Sequence, residues 1–197
     1  FFNLIPDGVQ NVIFDLDGTL IDSAPGIVSS CEHAFEACNL CPTNPIDSSI
    51  VGPPLRETMI RLLGRDDDKQ ATDLIEKFKE HYDSEGLTFT TPFPQVEEML
   101  DFLDRSKRLL YIVTNKRQKP TQAILKQLNW TRFFQSVYSI DSFGAMIGSK
   151  PELLNKLICD AGLDRLDCVY VGDRTEDAEA AIKNQIKFIQ AVWDSNI

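Results

Sequence analysis

The sequence predicts an α/β chain: a doubly wound parallel sheet with a small helical module inserted after its first strand. Three observations predict it. Five short apolar runs are continuous rather than alternating, as in strands covered on both faces. Helical periodicity fills the gaps between the later runs, as parallel crossovers require. Roughly 70 residues with no strand-like run follow the first strand, far more than a simple connection needs.

The apolar runs lie at residues 12–14, 109–113, 137–140, 168–171 and 188–192. After the first run, Ile27, Val28, Cys31, Ala34, Phe35 and Cys38 fall on one helical stripe, and Leu74, Ile75, Phe78 and Tyr82 on another. Between them "VGPPLRETMIRLLG" supplies a Gly-Pro-Pro turn and a shorter helix. "RDDDK" at 65–69 reads as a solvated helix start, with acids at the positive end of the dipole. Residues 22–90 are thus expected to form the inserted helical module, and "TFTTPFP" at 88–94 its return linker. The α/β core is expected over 1–21 and 91–197. There, Val96, Met99, Leu100 and Leu103 mark one helix, Ile124 and Leu128 a second, and Leu153, Leu154, Leu157 and Ile158 a third. "SKPE" at 149–152 reads as a capping box with Ser149 as N-cap and Glu152 three residues on, and Gly162 as the stop of that helix.

Composition narrows the partners. The chain has 197 residues, 43% hydrophobic and 25% charged, which suits a globular core, and no stretch is apolar enough to span a bilayer. Its formal charge of −10 argues against nucleic acid or an anionic membrane as partner. A small anionic substrate stays compatible, because a bound cation inverts the local field. Five cysteines, an odd number without dense pairing, fit a reducing cytoplasm. Cys38 and Cys41 form a C-x-x-C, but no second pair completes a metal site, so two free thiols are expected; Cys31 and Cys168 read as core packing. The chain opens on Phe1 rather than Met, as expected if an upstream segment has been removed.

The strand ends carry the chemistry. In an open parallel sheet, ligands bind beyond the carboxyl ends of the strands. There the first strand delivers Asp15, Asp17 and Thr19, and the second Thr114, Asn115 and Lys116. Ser149 and Lys150 follow the third, and Asp173, Arg174 and Asp177 the fourth. Carboxylates, a hydroxyl and an ammonium gathered at one edge suit phosphoryl transfer. A carboxylate attacks phosphorus to give an aspartyl phosphate, and a divalent cation, Mg²⁺ by its preference for oxygen, offsets the repulsion among the acids. Fixed donors bind the transferring oxygens, and a second acid handles the proton. Asp15 and Asp17, two apart on an extended chain, point the same way and can serve one substrate, and Gly18 lets the backbone approach closely and turn.

"DLDGTLIDS", "VTNK", "GSKP" and "VGDRTED" resemble, in order and separation, the four motifs of the haloacid dehalogenase-like superfamily. The helical module resembles its α-helical cap. Within the superfamily the chain is most similar to the phosphoglycolate phosphatase and beta-phosphoglucomutase-like group. The resemblance implies that Asp15 is the nucleophile and a Mg²⁺ ligand. Asp17 is implied as general acid/base, giving its backbone carbonyl to the metal. Thr114 would hold the phosphate, with Asn115 and Gly18 beside it, and Lys150 would neutralise nucleophile and phosphate. Asp173 would be a further Mg²⁺ ligand, and Asp177 either a ligand or the group that orients that site.

The activity implied is a Mg²⁺-dependent phosphatase of a small phosphorylated metabolite, monomeric or homodimeric and cytoplasmic. A phosphomutase and a non-hydrolytic phospho-acceptor switch are the alternatives. Asp17 disfavours dehalogenation, since the family's dehalogenases lack that second aspartate. Ile27 stands where the mutase pattern has His. Two further departures concern the end of the chain. "KNQIKF" stands where the family usually has a glycine before its last core strand. The chain also ends at "AVWDSNI", from which either a missing tail or a shortened sheet edge is expected.

Other residues carry weaker expectations. Arg56, after the Gly-Pro-Pro turn, either binds the far end of the substrate or is an exposed helix arginine. Asp22 and Ser23 either gate the hinge of the inserted module or, as is favoured, cap the next helix; Lys116 and Arg174 are expected to flank the site as active or solvated charges, His33 and His81 to be surface or packing groups, and Trp130 and Trp193 to pack.

Overall fold

A computed structural model describes residues 5–6, 8–144 and 147–192. Five parallel strands make the main sheet: β1 (Asn11–Phe14), β4 (Leu109–Thr114), β5 (Phe134–Ser139), β6 (Cys168–Gly172) and β7 (Lys187–Gln190), in spatial order β5-β4-β1-β6-β7. From β1 the chain builds outward on one side through β4 and β5, then returns to the other side of β1 for β6 and β7. β1 is therefore the topological switch point, where ligand crevices open in such sheets. Its register aligns Phe14 with both Ile112 and Val171, so the residues that follow β1, β4 and β6 emerge at one level.

The helices follow from the apolar spacing. α6 (Lys150–Asp160) and α7 (Thr175–Lys183) pack on one face of the sheet, where Leu153, Leu154, Leu157, Ala180 and Ala181 meet Ile13, Tyr111, Val113, Cys168 and Tyr170. α4 (Val96–Arg105), with Val96, Met99, Leu100 and Leu103 buried, packs against β4, and α5 (Gln118–Gln127) against β5. Trp130 is fully buried, as a packing group should be, whereas Trp193 lies outside the described residues.

Several local expectations are corrected. The outer strands β5 and β7 are only partly buried and are displaced from the apolar runs: β5 starts at Phe134 and leaves Ile140 in a turn, and β7 ends at Gln190. An edge strand is packed along one side only and needs no continuous apolar run. The capping box at 149–152 is not formed. Ser149 is the N-cap but makes no side-chain cap bond, and Glu152 accepts instead from the N–H of Gly148 at 3.0 Å. The glycine missing before the last strand has a structural counterpart, because Gln185, exposed, takes the left-handed conformation with φ 56°.

By contacts the chain divides into two compact units, Phe1–Ile21 with Pro92–Ile197, and Asp22–Thr91. The second is helical: α1 (Ala24–Ala37), α2 (Leu55–Leu63) and α3 (Asp68–Ser84) enclose Cys31, Ala34, Phe35, Met59, Leu62, Leu74, Phe78 and Tyr82. Asp67 caps α3 through the N–H of Gln70, and Asp22 accepts from the N–H of Ala24 at the start of α1. His33 and His81 stack with ring centroids 4.5 Å apart, and all five cysteines are free thiols. Short strands β2 (Ile21–Asp22) and β3 (Thr91–Pro92) pair with each other. Beside them the N–H of Phe93 donates to the carbonyl of Leu20 at 3.1 Å, closing the mouth of the insertion. Among the described residues no helix is long and apolar enough to cross a membrane.

Candidate active site

Strand β1 ends in a tight turn that places its acids. The Asp15 N–H donates to the carbonyl of Val171 at 2.9 Å, which ties it to β6. The N–H groups of Leu20 and Ile21 return to the carbonyl of Leu16, and Gly18 donates to Ile21. Gly18 has φ +82°, and a Cβ there would lie 2.4 Å from a carboxylate oxygen of Asp173. The position thus demands glycine twice over, for conformation and for space. Thr19 Oγ1 donates to Asp173 Oδ1 at 2.9 Å, which joins the loops after β1 and β6.

Three carboxylates converge at the switch point. Oxygens of Asp15, Asp173 and Asp177 lie within 4.8 Å of one another. Asp177 is fully buried; it accepts from the N–H of Arg174 at 2.9 Å and so caps α7 while facing the site. Lys150, at the first turn of α6, lies 2.6 Å from Asp177 Oδ1 and 3.1 Å from Asp15 Oδ2. Burial works against its charge, but Asp15 and Asp177 outweigh that and hold the ammonium above its ordinary pKa. Burial pushes the Asp15 carboxyl up to about 7; Asp177, Asp17 and Asp173 push the same way, and Lys150 opposes them. Asp173 is raised by burial as well, with its bond from Thr19 pulling the other way.

The turn after β4 supplies three donors. Thr114 is buried, and its Oγ1 accepts from the N–H of Lys116 at 3.2 Å, which leaves its own O–H to donate elsewhere. The Asn115 amide donates to both Glu176 oxygens, at 3.1 and 3.2 Å. Lys116 Nζ lies 2.9 Å from Asp17 Oδ1, with the two side chains 5% and 10% exposed. Lys116 is therefore no solvated charge. Tyr170, under the cluster, donates to the carbonyl of Val113 at 3.0 Å and lies 3.4 Å from Asp177 Oδ1. Burial, with Asp15 and Asp177 nearby, raises its phenol well above the ordinary range.

Asp15, Asp17, Gly18, Thr114, Asn115, Lys150, Asp173 and Asp177 thus meet in one crevice of the α/β unit. Arg56 belongs to the helical unit, where its guanidinium pairs with Asp68. Glu176 and Tyr170 are site residues that the sequence analysis does not single out. Glu176 sits inside "GDRTED", and a tyrosine in a wholly buried strand has to find a partner for its hydroxyl, which is a signal that points to Tyr170.

The donor set fits a divalent cation. Four carboxylates, Asp15, Asp17, Asp173 and Asp177, face two ammonium groups, Lys116 and Lys150. Asp15 Oδ1 is buried with no hydrogen-bond partner among the described residues. Buried polar atoms are seldom left so, and a hard cation would satisfy both the excess charge and the orphaned oxygen.

Comparison with known proteins agrees with this geometry. A model of the family described as haloacid dehalogenase-like hydrolase matches residues 12–191. The tyrosine-protein kinase PtkA of Mycobacterium tuberculosis is 31% identical over 93% of the chain, which spans 62% of that kinase's length. A phosphoglycolate phosphatase of Aquifex aeolicus is 30% identical over 92% of the chain and 84% of its own. Among solved structures, a predicted phosphatase from Clostridium acetobutylicum superposes with a TM-score of 0.82 at 25% identity, covering 92% of this chain and 84% of that one.

Proposed function

The chain belongs to the haloacid dehalogenase-like hydrolase family, and from that premise we propose that it is a Mg²⁺-dependent phosphatase that hydrolyses a small phosphomonoester through an aspartyl phosphate on Asp15. The observation that carries the proposal is the buried Asp15 carboxylate, set between the ammonium of Lys150 and the carboxylates of Asp173 and Asp177. Such a group is fixed in place beside a charge that draws in phosphoryl oxygens, which suits attack on a phosphoryl group.

In the first half-reaction Asp15 forms a bond to phosphorus while the bond to the departing alcohol breaks, and Asp17 gives that alcohol its proton. In the second, Asp17 takes a proton from water. The resulting hydroxide attacks phosphorus, and inorganic phosphate leaves Asp15. Thr114 and Lys150 hold the phosphoryl oxygens as their charge shifts. Asp15, the Asp17 carbonyl, Asp173 and Asp177 would hold the Mg²⁺, which would supply Lewis-acid charge to the reaction when bound. Asn115, held by Glu176, supports the phosphate turn. The helical unit would act as a cap that selects the substrate, with Arg56 as the candidate for its far end. The relatives named phosphoglycolate phosphatases favour a short anionic phosphomonoester.

A second outcome of the same intermediate is transfer to an acceptor hydroxyl, as a mutase or a kinase performs it. The relative named a tyrosine-protein kinase favours it. The two are separated by phosphate release from a panel of phosphorylated metabolites, with and without Mg²⁺, beside Asp15→Asn. Hydrolysis predicts one mole of free phosphate per mole of alcohol, dependent on Mg²⁺ and lost in the variant. Phosphorylation of Asp15 without phosphate release would overturn hydrolysis in favour of transfer or of a switch.

A further inference from the structure

The two histidines of the chain meet in the helical unit and have no part in the proposed reaction. Ser30, beside His81, is fully buried, and its hydroxyl has one proton to give. The carbonyl of Gly26, 2.7 Å away, can only accept, so the proton goes there. His81 Nδ1 lies 2.9 Å from the same Oγ and must then be the donor. In the neutral ring this puts the hydrogen on Nδ1 and a lone pair on Nε2. A hydrogen bond that fixes one ring nitrogen and leaves the other to bind is the usual support of a metal-ligating histidine.

Nε2 meets a carboxylate. Glu85, one turn on from His81, holds Oε2 3.7 Å from it. That is too long for a hydrogen bond, even with the ring protonated. It suits two ligands of one cation: a zinc ion about 2.0–2.2 Å from each would see them about 120° apart. A lone pair set against a carboxylate is also repelled unless a cation stands between them. Glu85 is exposed, so a metal can enter from solvent, yet the frame is stiff. His33 stacks on the His81 ring with centroids 4.5 Å apart, and the Glu85 N–H donates to the His81 carbonyl at 2.8 Å. Gly26 and Gly86 have no room for a Cβ, which would strike the Gly86 carbonyl and the Ser30 hydroxyl respectively.

We propose that His81 Nε2 and the Glu85 carboxylate bind a divalent transition metal of the zinc class, with water in the remaining positions. An imidazole nitrogen suits Zn²⁺, whereas Mg²⁺ keeps to oxygen. His33 is the platform that holds the ring. The site shares no residue with the carboxylate crevice and does not depend on the phosphatase reading.

Long-range ¹H–¹⁵N spectra of the full chain test this, at pH 8 to limit proton competition and with excess Mg²⁺ on the carboxylates. Only two imidazoles contribute, so metal binding in the acidic crevice gives no direct signal. Before zinc is added, His81 is expected to carry a hydrogen on Nδ1 and none on Nε2. Zn²⁺, added to about 1 mM, should shift His81 Nε2 saturably and far more than either nitrogen of His33. Glu85→Gln and Ser30→Ala should each weaken the binding by at least about tenfold. Glu85→Gln is an exposed change and carries the comparison if Ser30→Ala fails to fold. A hydrogen on Nε2 in place of Nδ1, no shift by about 1 mM Zn²⁺, or an unchanged affinity in Glu85→Gln would overturn the proposal.

Discussion

Asp15→Asn in the metal-free protein probes the electrostatic character of the site without any substrate. Burial and the neighbouring carboxylates hold the Asp15 carboxyl at about 7, against an ordinary value of 3.8. Between those two values the folded chain keeps a proton that the unfolded chain has released. This contribution to stability is therefore complete below the ordinary value and is lost as the pH climbs through about 7. Three decades of proton affinity, at about 1.4 kcal/mol per tenfold, set a ceiling of about 4 kcal/mol. Asparagine cannot ionise, so the variant escapes the loss while Lys150 keeps Asp177 at 2.6 Å. Urea unfolding in the presence of a chelator, at pH 5 and pH 8, measures it. The stability of the variant relative to wild type is expected to rise by about 2–3 kcal/mol between those pH values. Saturating Mg²⁺ should narrow the gap by stabilising the wild-type site. Parallel pH profiles for the two proteins, or a variant that is the less stable at pH 8, would refute the account of Asp15 as a carboxylate held in an electrostatically hostile place.

Other expectations concern single residues. Gly18→Ala places a Cβ 2.4 Å from Asp173 on a backbone with φ +82°; it should cost about 1–3 kcal/mol in thermal unfolding and weaken Mg²⁺ binding by calorimetry. Gln185→Gly relieves an exposed left-handed residue and should stabilise the chain by about 0.5–1 kcal/mol in urea. Arg56→Ala breaks a pair whose side chains are 48% and 83% exposed, so its unfolding free energy should change by less than about 1 kcal/mol. A rise in KM for anionic substrates at unchanged kcat would then identify Arg56 as a contact to the far end of the substrate.

The sheet and its crevice were legible because two strong signals coincide. β1, β4 and β6 lie in the middle of the sheet, and their burial on both sides writes itself into the chain as unbroken apolar runs. The carboxylates and ammonium groups that follow those runs stand out against them and fall at one edge of the sheet. The edge strands β5 and β7 were misplaced because half-burial permits Gln135, Ser136 and Lys187 within them. The Glu152 cap was mistaken because a glutamate can reach the N–H of Gly148 as well as that of Ser149. The ion pair of Lys116 with Asp17 was invisible for a different reason. A lysine after a strand is normally solvated, and only the three-dimensional register brings this one against an acid 99 positions away.

The hydrogen bond from Phe93 to Leu20 bears on how the chain finds its fold. β1 must pair with β4 across about 98 residues, a long loop to close from a disordered chain. Once the helical unit has folded and its mouth is clasped at Leu20 and Phe93, only about 25 residues of slack remain in that loop. The closing entropy then falls by about 1.2 kcal/mol, about an eightfold gain in the rate of pairing if the clasp precedes it. An insertion that looks like an interruption of the sheet would on this account hasten its assembly, and mutations that loosen the helical core would slow the formation of a catalytic crevice built from other segments of the chain.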